Sequence, residues 1–167
     1  MRKRNLALAA LVVLLLGACG DHDHDAGAAV DDHAHDHSHT HGETAFAFGM
    51  PGDPAAATRT IQVAAEDPYQ FRPEALEVES GETVTFVITN EGDQEHEFVL
   101  GDEAYQEAHG EEMAAGGMHH EGNAVTVAPG ATEELTWVFP PEGEVLYGCH
   151  VPGHYDGGMV GAISVSA

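Results

Sequence analysis

From Arg59 onward the apolar residues fall into short runs with partial two-residue alternation. Thr60 to Ala65, Ala75 to Val78, Glu82 to Asn90 and Glu97 to Leu100 come first. After an interruption come Ala124 to Ala128, Glu133 to Phe139, Val145 to Gly148 and Val160 to Val165. These runs are rich in Val, Ile, Phe and Thr, which suit a pleated, half-buried surface. Pro129-Gly130 and Pro140-Pro141-Glu142-Gly143 punctuate them as turns. About eight strands at this spacing, with no amphipathic helix of domain length, predict an all-β fold, a two-sheet β-sandwich. Val84, Phe86 and Ile88 should face the core, with Leu135, Trp137 and Phe139 opposed to them.

The interruption, residues 101–122, is long for a connection within a compact domain, and such segments are usually functional or mobile. Asp102 to Ala115 can hold a short helix, which Gly116-Gly117 would end. His109, Met113, Met118, His119 and His120 offer soft and borderline donors. Two readings stand side by side: a weak site for a soft metal ion such as copper, or a solvated acidic loop whose methionines cap the sandwich.

The amino terminus reads as a processing signal. Arg2, Lys3 and Arg4 precede an apolar run, Leu6 to Leu16, and Leu16-Gly17-Ala18-Cys19 resembles a bacterial lipoprotein cleavage box. The run is short for a bilayer span, so residues 1–18 are expected to be a signal peptide. Cleavage would leave Cys19 to carry lipid, tethering the protein outside the cytoplasm, on the periplasmic side of an inner or outer membrane. Residues 19–57 are then a lipid-anchored, disordered tail, too poor in large apolar side chains to offset the entropy of ordering. In it His22, His24, His33, His35, His37, His39 and His41 alternate with Asp, Ala, Ser and Thr. Imidazoles on a flexible chain can converge on copper or zinc, and the same stretch serves as a spacer. The folded domain is expected over residues 58–167.

Charge and cysteine count narrow the function. The formal net charge is −24, and Arg59 and Arg72 are the only cations outside the signal segment. Such a surface excludes nucleic acid and fits a basic protein partner or a saline habitat. With Cys19 acylated, Cys149 has no disulfide partner and needs another purpose, which metal ligation supplies.

That purpose is visible in the spacing. Cys149-His150-Val151-Pro152-Gly153-His154-Tyr155-Asp156-Gly157-Gly158-Met159 sets a thiolate, an imidazole and a thioether at Cys-x4-His-x4-Met. Copper cycles between a cuprous ion that prefers sulfur and a cupric ion that accepts nitrogen; His2Cys with a weak axial Met serves both. His96, in Gln94-Glu95-His96-Glu97, is the candidate for the remaining ligand. The expected centre is one type 1 copper on His96, Cys149, His154 and Met159. His150 follows a ligand on a strand, so its side chain should point away.

These residues resemble the cupredoxins, the plastocyanin, azurin and rusticyanin group, over roughly Thr58 to Ala167. Asp67-Pro68-Tyr69-Gln70-Phe71-Arg72-Pro73, Gly81-Glu82-Thr83-Val84 and Asn90 to His96 carry the likeness as well. The resemblance implies a Greek-key sandwich and electron passage through the ring edge of His154, beside Val151, Pro152 and Gly153. Glu97 departs from the small polar residue that several relatives place after the first histidine. The function implied is a type 1 copper protein, a single-electron carrier and/or a copper-handling protein. The alternative is a copper-tolerance protein that sequesters copper on its tail and loop, without a dedicated redox partner. Implied partners are a basic redox protein such as a c-type cytochrome, or copper-export machinery. Catalysis is not expected, because cupredoxin enzymes hold a further copper between domains.

Overall fold

The computed structural model describes residues 45–117 and 121–167. The signal segment, Cys19, the seven tail histidines from His22 to His41, and Met118, His119 and His120 lie outside the described residues. In chain order the strands are β1 (Met50–Pro51), β2 (Arg59–Glu66), β3 (Gln70–Arg72), β4 (Ala75–Glu79), β5 (Thr83–Asn90) and β6 (His96–Gly101). One helix, α1 (Glu103–Ala114), precedes β7 (Ala124–Val127), β8 (Thr132–Val138), β9 (Gly143–Gly148) and β10 (Val160–Ser166).

They form two five-stranded sheets, ordered β1-β8-β5-β2-β3 and β4-β10-β9-β6-β7. The pairs β2/β5 and β10/β4 are parallel, and the rest are antiparallel. Every expected strand is present. The two further strands, β1 and β3, have two and three residues, too short to show any period.

Alternation along β5 buries Val84, Phe86 and Ile88 completely. Leu135, Trp137 and Phe139 are buried as expected, but two of them lie beside β5 rather than across from it. Phe86 is registered with Leu135 and Val84 with Trp137 in the same sheet. Adjacent antiparallel strands turn registered side chains to one face, so the two runs form a shared wall. The opposing wall comes from the second sheet: Phe98 meets Phe86 at 5.4 Å and Phe71 at 5.7 Å between ring centroids.

The start of the domain is corrected by the structure. Residues 45–57 belong to the folded unit rather than to the tail: Phe48 is buried, and Met50 and Pro51 pair with β8. Phe48 stacks on Trp137 with centroids 5.7 Å apart, and Trp137 Nε1 donates to Phe48 O at 3.0 Å. A buried indole N–H needs an acceptor, and this segment supplies it. Two aromatics in a context of Ala, Gly and Pro carry no period by which the sequence could show this.

Helix α1 falls where Asp102 to Ala115 suggested. Asp102 caps it, accepting from the Tyr105 backbone N–H at 2.8 Å. Its buried residues are Gln106 and His109, so it docks on the second sheet through polar side chains.

Candidate metal centre

Three elements of the second sheet end together. His96 opens β6, Cys149 follows the last residue of β9, and Met159 precedes the first residue of β10. In the register, Gly148 faces Val99 on one side and Val160 on the other. The loop between Cys149 and Met159 is closed by its own backbone. Cys149 N–H donates to Met159 O at 3.1 Å, Met159 N–H to His154 O at 3.0 Å, and His154 N–H to Val151 O at 2.9 Å. Gly153 and Gly158, at φ of 86° and 98°, take the left-handed conformation these turns require.

This folding brings His96, Cys149 and His154 together, their ligand atoms all within 4.8 Å of one another. Cys149 Sγ lies 3.4 Å from His154 Nδ1 and 3.9 Å from His96 Nδ1. Among the described residues it is the one group of three His, Cys, Asp or Glu side chains so gathered. Met159 is fully buried at the end of the same loop. A thiol and two imidazoles, dry and convergent, match a copper ion in their donor chemistry.

The surroundings oppose ionisation of the free thiol but favour a neutral imidazole beside it. Burial pushes the Cys149 thiol up to about 11, against the pull of the Glu97 and Val151 backbone N–H groups. The Glu97 N–H donates to Sγ at 3.3 Å, ready to stabilise sulfur that becomes anionic. His154 is held below the usual imidazole range, by burial first and then by His96. It is therefore available as a neutral donor.

His154 departs from the expected exposed ring edge. It is only 2% exposed, and the ring of Tyr69 lies against it at a centroid distance of 4.9 Å. Tyr69 is itself 38% exposed, so the surface over this ligand is tyrosine as well as the Val151-Pro152-Gly153 turn. His96 meets a different neighbour: its Nε2 donates to Asp67 Oδ1 at 3.2 Å. Asp67 and Tyr69 sit in the turn between β2 and β3. The sequence marked that segment only by resemblance, without a role for either residue.

Glu97 resolves how the ligand segments are tied. Its backbone serves the thiol, while its carboxylate accepts from the His150 backbone N–H at 3.4 Å and from His109 Nε2 at 3.2 Å. His150 points away from Cys149, as expected. It stacks on Tyr155 at 4.5 Å and donates from Nε2 to Gln106 Oε1 at 2.7 Å. Gln106 in turn donates to Val99 O at 2.8 Å. Of the secondary candidates, His109 is buried in this network, and Met113 lines a cleft of about 720 Å³ between α1 and the ligand loop.

Residues 57–166 match the sequence model of the copper-binding proteins of the plastocyanin/azurin family. The copper-resistant cuproprotein CopI of Rubrivivax gelatinosus is 45% identical over 120 residues, covering 71% of this chain and 73% of CopI. A dithionite-reduced auracyanin from Roseiflexus castenholzii has 27% identity and a TM-score of 0.59, over 66% of this chain and 99% of that one. Auracyanin A, a "blue" copper protein from Chloroflexus aurantiacus, has 27% identity and a TM-score of 0.55, over 64% and 97% of the two chains. With a His-Cys-His cluster at the strand ends of a two-sheet sandwich, and with that match across the folded region, the chain belongs to the plastocyanin/azurin family of copper-binding proteins.

Proposed function

We propose that the chain is a type 1 copper protein that handles copper outside the cytoplasm and exchanges single electrons at the same centre. The observation that carries this is the convergence of His96 Nδ1, Cys149 Sγ and His154 Nδ1 in a dry pocket. His96 and His154 would supply imidazole nitrogen, Cys149 a thiolate, and Met159 a weak axial thioether. The copper, when bound, supplies a one-electron couple between its cupric and cuprous states. The hydrogen-bonded loop and the sheet beneath it hold the donors in one arrangement, which suits both states.

Copper handling is favoured by the likeness to a protein named for copper resistance. The tail histidines and the Met/His insertion add donors that a dedicated shuttle does not need. The likeness to a blue copper protein at 27% identity supports electron exchange as a second role. Glu103, Glu107, Glu111 and Asp156 line the cleft beside the ligand loop, in keeping with a basic partner. We read the protein as a copper carrier rather than an enzyme, in keeping with its likeness to a cuproprotein named for copper resistance and to a blue copper protein. We place it at a bacterial membrane through lipid on Cys19.

Growth under copper stress tests the reading. A strain lacking the protein should be sensitive and should regain tolerance with the wild-type chain but not with Cys149→Ser. Full rescue by Cys149→Ser would remove the type 1 centre from the function. Mass spectrometry of the mature protein should find acyl groups on Cys19; an unmodified amino terminus on soluble protein would sink the anchor.

A further inference from the structure

We propose that Asp67 is a positioning residue for the copper centre, accepting a hydrogen bond from His96 Nε2–H and so committing Nδ1 to the metal. The inference rests on His96 being a ligand. A neutral imidazole has one N–H and one lone pair, and only the nitrogen with the lone pair can bind copper. Here Nδ1 faces Cys149 Sγ and Nε2 faces Asp67 Oδ1 at 3.2 Å. Since His96 has no exposure, the carboxylate does for this ring what solvent would do at a surface.

The carboxylate is built in. Its Oδ2 accepts from the Asp93 backbone N–H at 2.7 Å, and Oδ1 also receives Gln94 Nε2 at 3.5 Å. Glu91 N–H donates to Ala65 O at 2.9 Å, which fastens the approach to His96 onto the end of β2. Gly92 makes the room: a Cβ there would stand 2.7 Å from Asp67 Cγ. Asp67 follows a strand of the first sheet and His96 opens a strand of the second, so the contact crosses the sandwich at the metal end.

A carboxylate on the distal nitrogen fixes ring orientation and raises ligand basicity, and losing such a partner typically costs about 10–100-fold in metal affinity. A more basic imidazole favours the cupric state. Asp67→Ala should therefore lower Cu(II) affinity by about 10–100-fold and raise the reduction potential. Gly92→Ala, which displaces the carboxylate without removing it, should move both in the same direction. Asp67→Asn keeps the shape and the bond from Asp93, and carries the test if the alanine variant does not fold.

The decisive readout needs no copper. Long-range proton–nitrogen NMR of the metal-free full chain, with the His96 signals identified by their loss in His96→Gln, should show an Nε2–H tautomer. In Asp67→Ala those nitrogen shifts should move toward a mixture of tautomers. Unchanged tautomer, affinity and potential in Asp67→Ala and Gly92→Ala would overturn the proposal. Should the wild-type chain bind no copper, the type 1 reading fails, and the Asp67–His96 contact is judged on the tautomer alone.

Discussion

His109 on the inserted helix donates to Glu97 at 3.2 Å, and their side chains are 2% and 3% exposed respectively. The backbone N–H of the same Glu97 donates to Cys149 Sγ at 3.3 Å. One residue therefore joins α1 to the Cys149 sulfur. A buried carboxylate persists only when it is hydrogen-bonded or paired. This one is met by His109 and by the His150 backbone, at the point where the two ligand segments run side by side.

His109→Leu should accordingly destabilise the protein by about 1–3 kcal/mol, the scale for removing one hydrogen-bond partner from a buried polar group. Glu97→Gln should cost less, because an amide is cheaper to bury than a carboxylate. The double variant should fall short of the sum. Chemical denaturation measures all three. If His109→Leu also shifts the sulfur-to-copper absorption band, the helix is coupled to the metal; loss of stability with an unmoved band would restrict it to a structural brace.

At the centre itself, Cys149→Ser should abolish the intense visible band, near 600 nm as a rough expectation for thiolate–Cu(II) charge transfer. An oxygen donor lacks the sulfur orbital that gives the colour. Met159→Leu should keep the colour and raise the potential, since losing a weak axial donor destabilises Cu(II) more than Cu(I). Spectra with voltammetry separate the two outcomes, and a blue Cys149→Ser protein would refute the ligand assignment.

Acid should weaken the metal-free fold through His150. Burial, with His109 adding to it, lowers this imidazole from 6.5 to about 4, against the opposing pull of Glu97 and Asp156. Between those values the unfolded chain takes up a proton that the folded one refuses. The contribution to stability is thus complete above about 6.5 and lost as pH falls toward about 4. Melting temperatures of the metal-free protein should drop across that window, and His150→Gln should flatten the slope. An equal slope in the variant would assign the acid sensitivity elsewhere.

Much of this was legible in the residues. Cys-x4-His-x4-Met is a local pattern, and alternation in β5 and β8 marks strands whatever their partners are. What could not be read was non-local or aperiodic. Asp67 and His96 lie 29 positions apart and meet only because β2 and β6 end at the same rim. Phe46 and Phe48 extend the domain by covering Trp137, a relation no window of sequence displays. Helix α1 offered no apolar face because it docks through Gln106 and His109. The exposed edge expected for His154 gave way to Tyr69, whose place over the ring depends on the β2–β3 turn.

The inserted segment gives the final test. Replacing Met113, Met118, His119 and His120 together should spare the visible band and remove a second, weaker binding event in a Cu(I) titration. His109 is left in place because it holds Glu97, and altering it would disturb the first site along with the second. Methionine thioethers add little for zinc yet are good donors to Cu(I), so the lost event should be selective for the cuprous ion. Gly116 and Gly117 would let the segment close about an ion, at an entropic cost that should keep such a site weaker than the rigid one. Deleting Asp21 to His41 in the same background separates the tail's contribution, which should vanish below about pH 5 as imidazoles protonate. A single copper per chain in the tail-deleted protein, with or without the four substitutions, would leave the insertion as an acidic helix braced against the blue site and take from the copper-handling role its support within the folded domain.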